Sequence, residues 1–104
     1  MISNVDAAEA AHNALSETDE EYGRLKAYVS LSAQYTKIIK AQNFLKSSGT
    51  VAEKEATAFA SQDFIEYATK LADETVEYHV LEAKRETWQR EVDIWRTISA
   101  NQRR

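Results

Sequence analysis

Ser47-Ser48-Gly49-Thr50-Val51-Ala52-Glu53 carries the strongest punctuation in the chain. Gly49 follows a run of helix-forming residues, and glycine just past a helix end suits the left-handed C′ position. Thr50 and Glu53 then stand three apart, the spacing of a capping box in which each side chain satisfies the other residue's amide at a new helix start. The segment predicts helix, tight turn, helix, with the bend at 47–50.

Working outward, the first arm spans about 18–47. Thr18-Asp19-Glu20-Glu21 matches a second capping box with acids in the first turn. Apolar residues then recur at helical spacing: Tyr22, Leu25, Tyr28, Val29, Leu31, Tyr35, Ile38, Ile39 and Leu45. Before them, about 4–16 forms a short alanine-rich helix. Ser16-Glu17-Thr18 either separates the two or is passed through as one long helix.

The second arm begins at about 50–60 and either continues or restarts, at Ser61, to about 100. Steps of three and four connect Phe64, Tyr67, Leu71, Glu74, Tyr78, Leu81, Arg85, Trp88, Val92, Trp95 and Ser99. This is a heptad seam, which predicts coiled-coil-like packing. At about 1.5 Å per residue, 62–100 would measure about 58 Å against about 45 Å for 18–47. Trp88, Val92 and Trp95 then need cover, from the N-terminal helix or from another copy of the chain. Glu74 and Arg85 are ionised groups on an apolar seam. Either they are paired there, or the helix rotates so that Ala68, Ala72, Val76 and Ala83 face inward. The drift of a 3.6-residue helix against a strict heptad favours the rotation.

The composition supports an all-α fold. There is no proline and there are two glycines, too few for the turns of an all-β chain. The expected architecture is one helical domain over 1–104, an antiparallel hairpin that forms a homo-oligomer. Without cysteine there are no disulfides or thiolate metal sites. Met1-Ile2-Ser3-Asn4-Val5-Asp6 lacks the basic start and apolar run of a signal peptide. No apolar stretch approaches the roughly 20 residues that cross a bilayer. These features predict a cytoplasmic protein with no membrane contact.

Charge is segregated. Residues 22–52 hold Arg24, Lys26, Lys37, Lys40 and Lys46 and no acid, whereas 1–21 and 53–82 each carry −6 and 83–104 carry +3. A pI near 5.2 excludes a protein that coats duplex DNA non-specifically. Lys37, Lys40 and Lys46, interleaved with Tyr35 and Phe44, are candidate contacts to single-stranded DNA, since lysines neutralise phosphate and aromatic faces stack unpaired bases. The plainer reading is a solvated face whose lysines complement the acids of 53–82. Trp88 and Trp95, surrounded by Lys84, Arg85, Arg90, Arg96, Arg103 and Arg104, read as core anchors. With Leu71, Tyr78, Leu81 and Val92 they are the candidate oligomer or partner interface.

Catalysis is not expected. Glu9 and His12 have the Glu-x-x-His spacing of carboxylate-bridged di-metal bundles, but Val76 stands three before His79, the other histidine. Glu66, Lys70 and Glu74 form i,i+4 pairs on a helix face. No cofactor or metal is expected.

Lys40-Ala41-Gln42, Phe44, Ser48-Gly49 and the closing Ile94-Trp95-Arg96 together resemble the UvsY-type recombination mediators of tailed phages, over roughly 22–104. The resemblance implies a helical, ring-forming oligomer that binds single-stranded DNA and helps load a recombinase, in the host cytoplasm if phage-encoded. The family motif has arginine where Gln42 stands, and this chain has one more residue between Lys40 and Gly49. Lys40 alone carries over as a DNA contact, with Lys37 and Lys46 as neighbours. The expectation is a non-enzymatic recombination-mediator-like protein whose partners are single-stranded DNA and a recombinase or another replication or recombination protein. The alternative is a helical protein-interaction module, such as an adaptor, a host-enzyme inhibitor or a virion assembly part.

Overall fold

The structure, a computed structural model, describes residues 4–102 and is all-α: α1 (Asn4–Ser30), α2 (Ser32–Lys46), α3 (Val51–Ala60) and α4 (Gln62–Gln102). Arg103 and Arg104 lie outside the described residues. Packing contacts gather into two units. One joins the chain up to Arg24 with the chain from Tyr78 onward; the other is Leu25–Glu77.

The bend falls at 47–50. Ser47 closes α2 in an extended conformation, donating its N–H to the Phe44 carbonyl at 3.2 Å. Gly49 has φ +108°, the one positive φ among the described residues. It stands two positions past Ser47 rather than directly after the helix, so its left-handed backbone turns the chain into Thr50 instead of closing α2. Thr50 and Glu53 make the reciprocal capping box, each bond 3.2 Å long. A Cβ built on Gly49 would run into the Glu53 carboxylate.

Two boundaries differ from expectation. The helix does not start afresh at Thr18; α1 runs through 16–18 without interruption. Thr18 Oγ1 donates back to the Ala14 carbonyl at 2.7 Å, as a mid-helix hydroxyl does, so the Thr18–Glu21 spacing caps nothing. The interruption falls instead at Leu31 (φ −90°, ψ 0°), which separates α1 from α2 by one residue. Helical bonding resumes at once, with the Tyr35 N–H donating to the Leu31 carbonyl at 3.1 Å. Beside the break, the Ser32 carbonyl accepts the Thr36 hydroxyl at 2.8 Å and the Tyr67 hydroxyl at 3.1 Å. Side-chain bonding into a helical ladder is a recognised cause of such kinks. At the other open boundary the chain restarts: Ser61 ends α3, and its hydroxyl accepts the Phe64 N–H at 3.2 Å, capping α4.

Along α4 the heptad holds. Phe64, Tyr67, Leu71, Glu74, Tyr78, Leu81, Arg85, Trp88, Val92, Trp95 and Ser99 are all sheltered, whereas Ala68, Ala72, Val76 and Ala83 are exposed. The favoured rotation is therefore corrected. Helix drift loses because Arg85 has strong partners at its seam position, described below.

In each unit the pairing is antiparallel. In the first, Tyr22 of α1 meets Tyr78 and Glu82 of α4, while Ala8 and Val5 face Val92 and Trp95. In the second, α2 packs on α3, and Tyr28 of α1 meets Tyr67 of α4. Val92 and Trp95 thus lie opposite the N-terminal helix.

Gly49→Ala should destabilise the fold by about 1–2 kcal/mol, because a Cβ in a left-handed conformation is strained and here also meets Glu53. Thr50→Ala should cost about 1 kcal/mol through loss of the cap. Urea unfolding followed by circular dichroism measures both; a neutral Gly49→Ala would contradict the turn geometry.

Candidate functional site

In the first unit α4 lays an arginine along α1. Arg85 is mostly buried, with 18 % of its side chain exposed. Its Nη1 donates to the Leu15 carbonyl at 2.9 Å and to Thr18 Oγ1 at 2.8 Å, and its Nη2 to Asp19 Oδ1 at 2.6 Å. The guanidinium also lies 4.7 Å from the centre of the Tyr22 ring. A planar cation with five donors can serve a carbonyl, a hydroxyl, a carboxylate and a π face at once. Tyr22 in turn stacks on Tyr78, ring centres 5.6 Å apart and planes 24° from parallel. Hydrogen bonding to Tyr22, and next to Glu82, holds the Tyr78 hydroxyl well above the usual tyrosine range.

Beyond this cluster the same helix pair leaves an open, largely apolar cleft of about 300 Å³ between Val5, Ala8, Glu9 and His12 on one side and Val92, Trp95 and Arg96 on the other. Glu9 and His12 thus share a face, at the edge of a cleft shared with Arg96. Among the described residues no three or more histidine, aspartate or glutamate side chains gather as a metal site.

The candidate interface residues Leu71, Tyr78, Leu81, Trp88, Val92 and Trp95 all sit on the intrachain seam. Val92 is buried and the others are half-buried. Their shelter comes from their own chain.

The second unit holds the candidate DNA contacts, and they do not converge. At about 100° per residue, Lys40 lies roughly 60° around α2 from Lys37, and Lys46 roughly 180°. Lys40 turns inward over the Phe64 ring at 5.5 Å. Lys54 likewise covers Phe44 at 5.4 Å and Lys70 covers Tyr28 at 5.3 Å. All three of these lysines lie over aromatic faces of their own unit. Burial first, then the neighbouring Tyr67 and the seam acid Glu74, push the Tyr28 hydroxyl up.

What the sequence reading missed is the orientation of α2. The helical spacing of Leu31, Tyr35, Ile38 and Leu45 does not say which way they face, and all four are exposed, Ile38 by 50 % and Leu45 by 81 %. The sheltered positions are Ser32, Thr36, Ile39, Lys40, Asn43 and Phe44. Thr36 and Asn43 satisfy themselves on α2's own carbonyls, Thr36 to Ser32 at 2.8 Å and Asn43 to Ile39 at 2.9 Å, so their burial leaves no polar group stranded. The signal was present: steps of three and four from Ala8, Ala11, Leu15, Thr18, Tyr22, Leu25 and Val29 arrive at Ser32, Thr36, Ile39 and Asn43. Leu31, Tyr35, Ile38 and Leu45 form a second stripe of the same pitch on the far side.

Among the described residues no helix is long and apolar enough to cross a membrane.

Arg85→Ala should destabilise by about 2 kcal/mol, since it strands the partners Arg85 satisfies. Asp19→Asn should cost well under about 1 kcal/mol, because that carboxylate is 66 % exposed. Stability should also fall in base. The folded chain keeps the Tyr78 proton after the unfolded chain has lost its own, so this contribution is complete below pH of about 10 and lost as pH rises above it. Urea midpoints across pH 9–11 check the sign (range set by the tyrosine pKa of about 10), and Tyr78→Phe should flatten the decline.

No family model, curated protein or solved structure matches this chain.

Proposed function

We propose that this chain is a non-enzymatic protein-interaction module that works through the outer face of α2. One observation carries the reading: α2 shelters the self-satisfied Thr36 and Asn43 beside Ile39 and Phe44, and leaves the apolar stripe Tyr35, Ile38 and Leu45, with Leu31 just before it, outward. A solvated helix would have the opposite arrangement. An outward stripe at coiled-coil pitch suits a partner helix laid along it. The rim is basic, with Lys37 on one margin and Lys46 on the other, which favours a partner with acidic margins. Work in the cytoplasm and without a cofactor accords with this role.

A second reading keeps the single-stranded DNA role implied by the resemblance to UvsY-type mediators, with a recombinase as protein partner. The acid-free stretch 22–52 supports it, as does the exposed Tyr35, a face on which a base could stack. The dispersal of Lys37, Lys40 and Lys46 around α2, with Lys40 held over Phe64, favours the first reading.

A photo-crosslinking residue at Ile38 or Leu45, irradiated in cells carrying the gene, should yield discrete protein adducts, and one at the exposed Glu86 should yield none. Equal labelling at all three positions would remove the docking face. For the DNA reading, fluorescence anisotropy with a single-stranded oligonucleotide should show salt-sensitive binding that Lys37→Ala with Lys46→Ala weakens. Binding unchanged by those substitutions would remove it.

A further inference from the structure

The docking face has a counterpart on the same unit. On α4 the exposed Ile65, Thr69, Ala72 and Val76 follow three- and four-residue steps and fall within about 60° of one another around the helix. Ile65 is 48 % exposed and Val76 63 %. Glu66, Asp73 and Glu77 run along one margin of this stripe, roughly 80–120° from Ile65. So α2 offers an apolar stripe with lysine margins, and α4 an apolar stripe of matching pitch with an acidic margin.

The charges on these two margins are not matched within the chain. Among the described residues Lys37 and Lys46 meet no carboxylate, Asp73 and Glu77 meet no cation, and Glu66 accepts only from the Gln62 amide at 3.1 Å. Lys40, Lys54 and Lys70 lie over aromatic rings of the same unit. Buried apolar residues are few: Ala8, Ala11, Leu25, Ala58 and Val92 are the buried apolar core among the described residues, and α2 has no buried residue. A helix pair with so small a core gains by covering large apolar side chains elsewhere.

We infer that the occupant of the outer α2 face is a second copy of this chain, which presents its outer α4 stripe. Resting on α2 as the docking face, this names the partner. Leu31, Tyr35, Ile38 and Leu45 of one copy interlock with Ile65, Ala72 and Val76 of the next, and Lys37 and Lys46 approach the acidic margin of Glu66, Asp73 and Glu77. The two surfaces differ, so the contact is head-to-tail and each copy retains one face of each kind for further copies. Trp88, Val92 and Trp95 take no part in this interface and belong to the other unit.

Light scattering coupled to size exclusion tests the inference on the whole chain at about 100 μM, where a micromolar contact is nearly saturated. The wild-type mass should be at least twice the 11.8 kDa of one chain. Lys37→Glu with Lys46→Glu should run as a single chain, because both stripes are then acid-rimmed. Asp73→Lys with Glu77→Lys should do the same, with both rims basic. Mixing the two variants should restore assembly, since each basic face then meets an acidic one. All four side chains are exposed, so circular dichroism should match wild type. A single-chain wild type, or a lone variant that assembles as before, overturns the inference. If Ile38 crosslinks to a protein of another mass while the wild type stays a single chain, the docking function stands and the second-copy assignment falls.

Discussion

The constraint on which the first unit depends is the seating of Arg85. Four partners hold its guanidinium at a seam position: a carbonyl, a hydroxyl, a carboxylate and an aromatic ring. A charge taken this far from water is tolerated when its donors are satisfied and costly when they are not. The site therefore specifies which residues of α1 stand opposite α4, as apolar contacts alone would not. A shift by one helical turn would part the guanidinium from Asp19 and Thr18. The stacked Tyr22 and Tyr78 extend the same constraint by one turn.

Arg85 also explains the seam's heptad spacing. An undistorted helix drifts by about 20° per heptad, which would bring Ala72, Val76 and Ala83 inward. The opposite happens, and the small residues remain on the surface. The sheltered line then consists of five aromatics, Leu71, Leu81, Val92 and Ser99, and the two charged residues Glu74 and Arg85. Glu74, the second of these, lies close enough to Tyr28 for its charge to raise that hydroxyl's pKa. Specificity of pairing, rather than depth of apolar core, is what such a line supplies.

The same pitch followed along the first arm has a different result. Up to Val29 it falls on alanine, leucine, tyrosine and valine with the one threonine Thr18; on α2 it falls on Ser32, Thr36 and Asn43 with the one apolar residue Ile39. Polar groups occupy the inward positions because they bond to the carbonyl one turn back and need no other partner. Leu31, Tyr35, Ile38 and Leu45 are left outside, while Ile39 and Phe44 are sheltered. Lys40, Lys54 and Lys70 lie over aromatic rings, and Lys37 and Lys46 stay exposed. Both features leave large apolar and charged side chains at the surface of this unit.

All-α architecture, the bend at 47–50, the Thr50–Glu53 cap and the α4 seam were legible in the sequence, because each depends on residues within a few turns of one another. Gly49, lacking a Cβ, and the three-residue reach of a cap act locally. Resemblance motifs such as Lys40-Ala41-Gln42 were legible as words but carried no orientation. Three features required tertiary structure: the passage of α1 through Thr18, the interruption at Leu31, and the outward turn of Leu31, Tyr35, Ile38 and Leu45. Thr18 looks like a cap until Arg85, 67 residues away, supplies its partner. Ser32 looks unremarkable until Tyr67 donates to its carbonyl. Apolar spacing reveals that a helix has a greasy stripe; which of two stripes faces inward is decided by partners distant in the chain.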